Sequence, residues 1–390
     1  MLRFLPAMDF SLSDHQQLIR NTIREFMATE VRPHVKEWEK SDYFPLDIIK
    51  KLGAMGCCGM LMPEEWGGPG LDTISYVLMI EEVARVHAAI STALAVTNSA
   101  VELPLLAFAT DAQKHRYLKP LASGEMIGAF CLTEPAAGSD AAGIQARASR
   151  DGDTYKLSGT KTWVTNGSAA GAFIVFAKTN PDAGGKGITA FLVEPTFPGF
   201  KVGRHEDKMG QRCSPSVEII LNDCVVPAAN RLGEEGQGLK IALSALDGGR
   251  IGIAAQAVGL AQAALDESAK FARSRNAFGK SIAEFQAIQW MLADMHTEIE
   301  AARALLYRAA SIKDANGKMG SAASRAKLYA SEMVNRVAYK AVQIHGSQGY
   351  SRESEVERIY RDARVISIYE GTSEIQRTII ARDLLSPDGR

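Results

Sequence analysis

The stretch SIAEFQAIQWMLADMHTEIEAARALL at residues 281–306 decides the fold class of the last third of this 390-residue chain. Its apolar residues recur every three or four positions, which places them on one face of a helix. That face carries Ile288, Met291, Leu292, Met295, Ile299, Ala302 and Leu306. Ser281 and Glu284 stand at the spacing of a capping box, which marks a helix start. The stretch therefore predicts a long amphipathic helix whose apolar stripe must be covered by other helices.

Similar helical patterns lie on both sides of this stretch. Apolar residues return at helical spacing over residues 238–274 and again over residues 321–344. Three or four long antiparallel helices of this kind bury their stripes against one another in a bundle. Residues 237–390 are therefore predicted to form a C-terminal, four-helix-bundle-like α domain.

The first third of the chain is also predicted to be helical. Ser13 and Gln16 form a second capping-box pattern ahead of an amphipathic helix. A further helix is expected over residues 90–109, with an interruption at Pro104. Residues 1–125 are assigned to an N-terminal α-helical domain.

Short strand-like runs replace the helical patterns in the middle of the chain. They cover residues 127–133, 154–157, 173–178, 188–193 and 217–221, and Gly, Asn, Asp and Pro separate them. The turns are too frequent for a parallel Rossmann sheet. Residues 126–236 are therefore predicted to form a middle antiparallel β domain, and the fold class is α+β.

Composition and charge exclude several classes of function. The 44 basic and 45 acidic residues leave a formal charge of -1 without a block of like charge, so we expect no nucleic-acid-binding surface. No apolar run looks long enough to span a bilayer, and the first residues do not resemble a signal peptide. We therefore expect a cytoplasmic protein without membrane insertion. Five cysteines without a C-x-x-C pair predict reduced thiols, and seven scattered histidines predict no metal site.

The loop YEGTS at residues 369–373 places a carboxylate between an aromatic ring and a glycine. Thr372 or Ser373 can cap the next helix, and Gln376 completes a capping box for Ser373. Glu370 then lies just ahead of a positive helix end. Two interpretations stay open on these residues alone: a carboxylate that only compensates the helix dipole, and a catalytic base.

Two glycine-containing stretches could approach a ligand closely. LTEPAAGSD at residues 132–140 ends a strand in a Pro/Gly turn, and QIHGSQGY at residues 343–350 breaks a helix with two glycines. The alternatives are a simple turn for the first stretch and a helix C-cap for the second. Neither is a P-loop, and no G-x-G-x-x-G follows a strand, so a bound dinucleotide would be held in a non-Rossmann manner.

Taken together, these stretches resemble the two signatures of the acyl-CoA dehydrogenase family. Residues 131–140 with Gly143 are similar to the first signature. The second signature is matched by Gln343, Gly346, Ser347, Gly349, Tyr350, Glu353, Arg358 and Asp362. The resemblance follows nearly the whole chain in order, and the predicted α-β-α order is the family's architecture. It implies the acyl-CoA dehydrogenase fold with FAD as cofactor.

The resemblance also implies which residues contact FAD. From the β domain these would be Phe130, Leu132, Thr133, Gly138, Ser139, Trp163 and Thr165. Trp163 would shield the ring system, and Thr165 would donate a hydrogen bond near the reactive nitrogen. The adenine and pyrophosphate of a neighbouring subunit's FAD would contact Arg275, Phe278, Gln286, Gln343, Gly346 and Ser347, while Thr372 and Glu374 would close the site. The site would thus need an oligomer, and we expect a homotetramer built as a dimer of dimers.

By the same resemblance, the reaction is the α,β-dehydrogenation of a fatty acyl-CoA to the trans-2-enoyl-CoA, as in fatty-acid β-oxidation. Glu370 would abstract the α-proton, the β-hydride would go to flavin N5, and the electrons would pass to electron-transfer flavoprotein. Burial should raise the pKa of Glu370 towards neutrality. Some family members carry the base on a different helix, at the position where this chain has Gly249, so Glu370 is the remaining candidate.

Four residues would contact the substrate by resemblance: Ser139, Asp247, Arg250 and Gly371. For Asp247 and Arg250, a simple intrahelical pair is the alternative. Residues 246–259 look most like the short-chain and short-branched-chain members. Two other functions stay open, namely a flavin oxidase or monooxygenase on the same scaffold and a non-catalytic flavoprotein binding module.

Overall fold

The computed structural model describes residues 11–315, 319 and 321–386, so the prediction about a signal peptide lies outside the described residues. The α-helices are α1 Asp14–Phe26, α2 Val35–Ser41, α3 Leu46–Ala54, α4 Thr73–Ala84, α5 Ala88–Ala95, α6 Leu103–Phe108, α7 Asp111–Gln113, α8 Lys119–Ala122, α9 Gly238–Ser274, α10 Gln286–Asp314, α11 Ala322–His345, α12 Glu355–Arg364 and α13 Ser373–Leu385. The strands are β1 Gly128–Cys131, β2 Arg147–Asp151, β3 Thr154–Thr165, β4 Ala172–Lys178, β5 Ile188–Val193, β6 Phe200–His205, β7 Ser216–Pro227, β8 Arg231–Leu232, β9 Asn276–Ala277 and β10 Lys280–Ser281.

The N-terminal part is helical, as predicted, and its first helix starts at the predicted capping box of Ser13 and Gln16. The helix expected to break at Pro104 does not break. A π-helical segment, Val96–Glu102, joins α5 to α6, and Pro104 lies in the first turn after it. A wider π turn already lacks the regular hydrogen-bond ladder, so the missing proline N–H is tolerated there.

This continuous helix, Ala88–Phe108, also corrects the prediction that no apolar run could span a bilayer. By length and composition it is long and apolar enough, and it is the one such helix in the described part of the chain. However, 89% of its apolar window is buried inside the protein. Core helices of soluble proteins have the same character, because they are covered by other elements on all sides.

The middle part folds into a single eight-stranded sheet with the order β6-β7-β3-β2-β4-β5-β8 and with β1 beside β4. Most neighbours are antiparallel, as predicted. Two pairs are parallel, because both β1 and β2 run in the same direction as β4. The sheet is therefore mixed rather than purely antiparallel. The parallel strand β1 matters for the site, because it leads directly into the stretch at residues 132–140.

The C-terminal part is the predicted bundle of long helices, with α9, α10 and α11 packed against one another. The capping box of Ser281 and Glu284 is present, but it starts a short 3-10 turn, and α10 begins only at Gln286. The second half of the predicted stripe, from Met295 to Leu306, is buried. Its first half is only partly buried, which leaves apolar surface at one end of the bundle.

The two helical parts share one hydrophobic core. Side chains of α1, α4 and α5 from the N-terminal part and of α9, α10, α11 and α12 from the C-terminal part belong to the same buried cluster. The β-sheet has a core of its own, centred on residues such as Phe173 and Phe191. The loop at residues 369–373 lies where these parts meet, because Tyr369 is packed against the shared helical core.

Candidate active site

The loop at residues 369–373 has an unusual backbone. Glu370 has a φ of 54° and Gly371 a φ of 87°, so both are left-handed. A glycine adopts this conformation freely, but a glutamate does so at a cost that the surroundings must offset. Gln376 helps to hold the turn, because its side-chain amide donates to the carbonyl oxygens of Glu370, at 3.3 Å, and Gly371, at 2.9 Å.

The predicted capping box on Ser373 is wrong. Thr372 is the N-cap of α13, and its hydroxyl accepts a hydrogen bond from the Ile375 N–H. Ser373 lies inside the helix and donates to Glu332 on α11 at 2.6 Å. The Gln376 side-chain NH2 group donates to the loop carbonyls, and its Oε1 atom, which a capping box would use as acceptor, has no partner among the described residues. The loop is therefore attached to α11 as well as to its own helix.

The Glu370 carboxylate points into the protein. Its Oε2 atom is buried and has no hydrogen-bond partner among the described residues. A Cβ built on Gly249 of α9 would lie only 2.5 Å from that oxygen, so a glycine is required there to make room for the carboxylate. Burial raises the pKa of Glu370 to about 7, while the positive charges of Arg250 and Lys327 lower it. The expected direction of the pKa shift is thus present.

A buried lysine that sequence reasoning missed lies beside this loop. Lys327 on α11 is 0% exposed, and its Nζ donates to the Gly371 carbonyl oxygen at 2.8 Å. Burial lowers the pKa of Lys327 to about 8, against the opposing effect of Glu370. A sequence signal existed, because Lys327 occupies an apolar position of its helix between Ala323 and Ala330. A charged residue on a buried helical face needs a partner.

A hydrogen-bond network fixes the tyrosine that precedes Glu370. The Tyr369 hydroxyl donates to the side-chain oxygen of Gln256 on α9 and accepts from Gln211 at 3.3 Å. The Gln256 side-chain NH2 group donates to the Thr92 hydroxyl on α5 at 2.6 Å. The Thr92 hydroxyl in turn donates to the side-chain oxygen of Gln211 at 2.5 Å, which closes the network. These four side chains come from all three parts of the fold. The base loop is therefore positioned by the whole chain rather than by its neighbours in sequence.

Arg250 and Asp247 form the intrahelical pair that was the alternative to substrate binding. Asp247 is exposed, whereas Arg250 is buried. The Nε atom of Arg250 has no partner among the residues that the structure describes. Part of the guanidinium is thus left free beside Glu370, and its charge reaches that carboxylate.

Residues predicted to contact the flavin from the β domain lie close together. The Thr162 N–H donates to the Thr133 carbonyl at 2.9 Å, which joins β3 to the stretch after β1. Trp163 is 56% exposed with a φ of 58°, and a Cβ on Gly138 would meet no atom within 4 Å. Leu132 is buried, Phe130 and Thr165 are half-buried, and Ser139 is exposed. An exposed indole next to open backbone and two hydroxyls fits an isoalloxazine ring.

The other predicted cofactor residues lie far from this group. From Gly249, helix α9 runs on to Ser274, a span of about 38 Å at about 1.5 Å per residue. Phe278, just beyond that end, is 96% exposed. The ring of His345 stacks on Phe271 at 4.3 Å, which brings the two predicted segments to one end of the bundle. These segments contain Arg275, Phe278, Gln286, Gln343, Gly346 and Ser347. The structure therefore does not bring these residues to the base loop of the same chain.

The structure also brings together three side chains that the sequence did not link. Glu39, His87 and Cys213 place their potential ligand atoms within 4.8 Å of one another. Glu39 accepts from the Cys213 thiol at 3.4 Å and lies 3.5 Å from His87 Nε2. Arg361 is also 3.9 Å from Glu39. The Cys213 thiol and the Arg361 charge account for part of this cluster, but both ring nitrogens of the buried His87 lack a hydrogen-bond partner among the described residues. All five cysteines are buried and free.

Family models match the chain in three consecutive parts. The acyl-CoA dehydrogenase N-terminal domain matches residues 13–125, the middle domain matches residues 129–224, and the C-terminal domain matches residues 236–385. The chain belongs to the acyl-CoA dehydrogenase family. Members are FAD-dependent flavoproteins, and so is this acyl-CoA dehydrogenase.

Individual relatives cover nearly the full length of this acyl-CoA dehydrogenase. It is 43% identical over 374 residues to the short-chain specific acyl-CoA dehydrogenase of Clostridium acetobutylicum, covering 96% of this chain and 99% of the relative. It is 45% identical over 374 residues to a subunit of the caffeyl-CoA reductase-Etf complex of Acetobacterium woodii, with 96% and 99% coverage. The butyryl-CoA dehydrogenase structure from Megasphaera elsdenii superimposes with a TM-score of 0.95 at 44% identity, covering 97% of this chain and 100% of that one.

Proposed function

We propose that this acyl-CoA dehydrogenase oxidises short-chain acyl-CoA thioesters to trans-2-enoyl-CoA, with Glu370 as the base. The single observation that carries the choice of base is the buried, unpartnered Oε2 of Glu370 facing Gly249. The short-chain preference rests on the similarity to relatives named as short-chain and butyryl-CoA dehydrogenases. The bound FAD supplies the acceptor for the β-hydride.

The surroundings of Glu370 suit the removal of a weakly acidic proton. A carboxyl with a pKa of about 7 is ionised in half of the molecules at neutral pH, yet is a stronger base than a solvated glutamate. In the described residues no acceptor faces the Glu370 N–H. That N–H can therefore donate to the thioester oxygen and stabilise the negative charge that develops when Glu370 takes the α-proton.

The full cofactor site needs a second copy of the chain in this proposal. About 38 Å of helix separates Gly249 from the end that carries Arg275 and Phe278. A second subunit can bring the same segment to the first subunit's FAD, and the partly exposed first half of the α10 stripe offers apolar surface for that contact. We infer a homotetramer, a dimer of dimers, in which Gln343, Gly346 and Ser347 act across the interface.

Electron-transfer flavoprotein is the proposed electron acceptor, in keeping with the relative named as part of an Etf complex. The name of that relative also favours a second candidate function, in which this chain works as an enoyl-CoA reductase. A cytoplasmic location and domain boundaries near residues 125 and 236 complete the proposal.

Anaerobic titration of the purified, FAD-loaded protein tests the function. Butyryl-, isobutyryl-, octanoyl- and palmitoyl-CoA are added separately while the flavin absorbance near its visible maximum is followed. We expect bleaching with butyryl-CoA and formation of the enoyl product. Absence of bleaching with every acyl-CoA would refute the dehydrogenase proposal. A dehydrogenase is distinguished from an oxidase by how its reduced flavin is reoxidised. We expect rapid reoxidation by electron-transfer flavoprotein and slow reoxidation by oxygen.

A further inference from the structure

Three glycines of α9 and two small residues of the neighbouring helix define a slot beside Glu370. Gly248 and Gly252 face the helix Ala88–Phe108, whereas Gly249 faces the Glu370 carboxylate. An ideal Cβ on Gly248 would lie 2.6 Å from Leu103 Cδ1 and 3.6 Å from Ser99, so the Leu103 side chain fills this part of the slot. One on Gly252 would lie 3.5 Å from Ala95. Glycine in a helix interior costs about 1 kcal/mol relative to alanine. The room at these glycines therefore serves the side chains that enter it, from Leu103, Glu370 and Tyr76, rather than helix stability.

One end of this slot is closed by the side chain of Tyr76 from α4. A Cβ on Gly252 would overlap the Tyr76 hydroxyl oxygen and lie 3.4 Å from the ring carbon that carries it. Tyr76 is only 1% exposed, so its ring is enclosed by other side chains and solvent does not reach it. Because Gly252 has no side chain, the phenol group of Tyr76 occupies the space next to it. A substrate cannot occupy that same space.

The distance from the base to this closure matches a short acyl chain. Glu370 contacts α9 at Gly249, and Gly252 lies about 4.5 Å further along the helix axis. That is the length of about three carbon–carbon bonds of about 1.5 Å. An acyl group whose α-carbon lies at Glu370 therefore meets Tyr76 after about three more carbons.

The tyrosine hydroxyl is also in an environment that suggests a role other than core filling. Its oxygen is buried and makes no hydrogen bond of good geometry among the residues described, although the Ser99 hydroxyl lies within reach. Burial raises the pKa of Tyr76, the Ser99 hydroxyl lowers it, and the charges of Glu370 and Glu102 raise it further. Burial also raises the pKa of Glu102 well above its ordinary value.

We propose that Tyr76, seated against Gly252, is the stop of the acyl pocket and limits the substrate to short acyl chains. The inference rests on the proposed function, because it takes the slot beside Glu370 as the acyl pocket. Tyr76 acts on specificity and not on proton or hydride transfer.

Replacing the ring with a smaller side chain tests the proposal. In Tyr76→Ala, the ratio of kcat/KM for octanoyl-CoA to that for butyryl-CoA should rise by about tenfold or more, because each methylene that finds room gains about 10-fold or more in a hydrophobic pocket. The ratio of kcat/KM for hexanoyl-CoA to that for butyryl-CoA should rise as well. Tyr76→Leu provides the same test if the alanine variant does not fold, since leucine keeps part of the core volume.

A matched control separates the pocket from general loosening of the core. Leu78, on the opposite face of α4, is 1% exposed, and Leu78→Ala removes a buried side chain without opening the slot. It should lower stability but leave the chain-length ratio within about twofold of the parent. An equal shift in Leu78→Ala, or no shift in either Tyr76 variant with full FAD content, would overturn the proposal.

Failure of the inference and failure of the proposed function have different signatures. If butyryl-CoA bleaches the parent flavin and the ratio does not change in the Tyr76 variants, only the role of Tyr76 is refuted. If no acyl-CoA bleaches the parent protein, the dehydrogenase function is refuted and the role of Tyr76 falls with it. Equal kcat/KM for butyryl- and octanoyl-CoA in the parent would also refute a stop at Tyr76.

Discussion

Two regions of this protein each bury a glutamate and a lysine, but they treat them in opposite ways. In the β domain, Lys161 is 0% exposed and donates to Glu134 at 2.7 Å. Glu134 also accepts from the backbone N–H groups of Gln145 and Ala146, at 2.5 and 3.0 Å. At the base loop, Lys327 donates to a carbonyl oxygen instead of a carboxylate, and one buried oxygen of Glu370 has no partner in the described part of the chain.

The difference separates a structural ion pair from a reactive carboxylate that has no ion-pair partner among the described residues. The Glu134 carboxylate has its acceptor oxygens engaged by three donors of the protein. A buried carboxylate without donors binds a proton easily, because burial disfavours its charge. The positive charge of Lys327 opposes this rise in the pKa of Glu370, although Lys327 donates its hydrogen bond to the Gly371 carbonyl and not to the carboxylate. The same two residue types thus stabilise the sheet in one region and prepare a base in the other.

The largest expected effect comes from Glu370→Gln, which removes the base but keeps the shape of the side chain. Flavin reduction by butyryl-CoA should fall by about 10³-fold or more, since a positioned general base typically contributes 10²–10⁴-fold. Stopped-flow absorbance measures this rate. FAD content and the binding of a CoA ligand should not change. Retained turnover would mean that another residue is the base.

The second effect concerns the structural pair. Lys161→Met leaves Glu134 buried without its counter-charge, which should lower the free energy of unfolding by about 3–5 kcal/mol. Urea unfolding of the variant and the parent, recorded with a signal that reports on the middle domain, measures the change in the free energy of unfolding. Combining it with Glu134→Gln should recover part of the loss, because no uncompensated charge is then buried. A Lys161→Met variant as stable as the parent would show that Glu134 is satisfied by its backbone donors alone.

The smallest effect is expected from Lys327→Met, which removes a positive charge near the base. That charge lowers the pKa of Glu370, so its loss should raise the pKa above about 7. Only the deprotonated carboxylate takes a proton, so flavin reduction at pH 7 should fall by up to about tenfold and recover as the pH is raised. A pH profile of the reduction rate measures the shift.

Lys327→Arg is the control for that change, because it keeps the charge while altering the donor geometry at the Gly371 carbonyl. Its profile should keep the parent midpoint, even if its maximum rate is lower. An unchanged midpoint in Lys327→Met would leave Lys327 a purely structural residue that supports the loop.

The amino-acid sequence was sufficient for the helical and strand patterns and for the family signatures. Local rules are strong in both cases. The apolar period over residues 281–306 predicts a helix, which the structure has from Gln286 onwards. Ser13 with Gln16 gives a helix start through contacts within its own segment. The predicted strand at residues 188–193 coincides with β5. A short run of consecutive apolar residues between turn signals is typical of a strand that is buried on both faces.

Where the local sequence allowed two solutions, tertiary contacts chose between them. Thr372 and Ser373 are both good caps, and the contact of Ser373 with Glu332 on α11 leaves the cap to Thr372. The parallel pairing of β1 with β4 joins residues that a local pattern cannot relate. Pro104 is tolerated inside a helix because a π-helical segment precedes it.

The sequence by itself determined that Glu370 stands in a turn next to a glycine, within a chain of the α-β-α order and with the family's signatures. Only the tertiary structure decided that its carboxylate is buried against Gly249, that Lys327 supports the loop, and that Tyr76 closes the slot at Gly252. These residues are far apart in the chain, and each is ordinary in its own segment. Burial and charge arise from what surrounds a side chain, and folding alone brings those surroundings together.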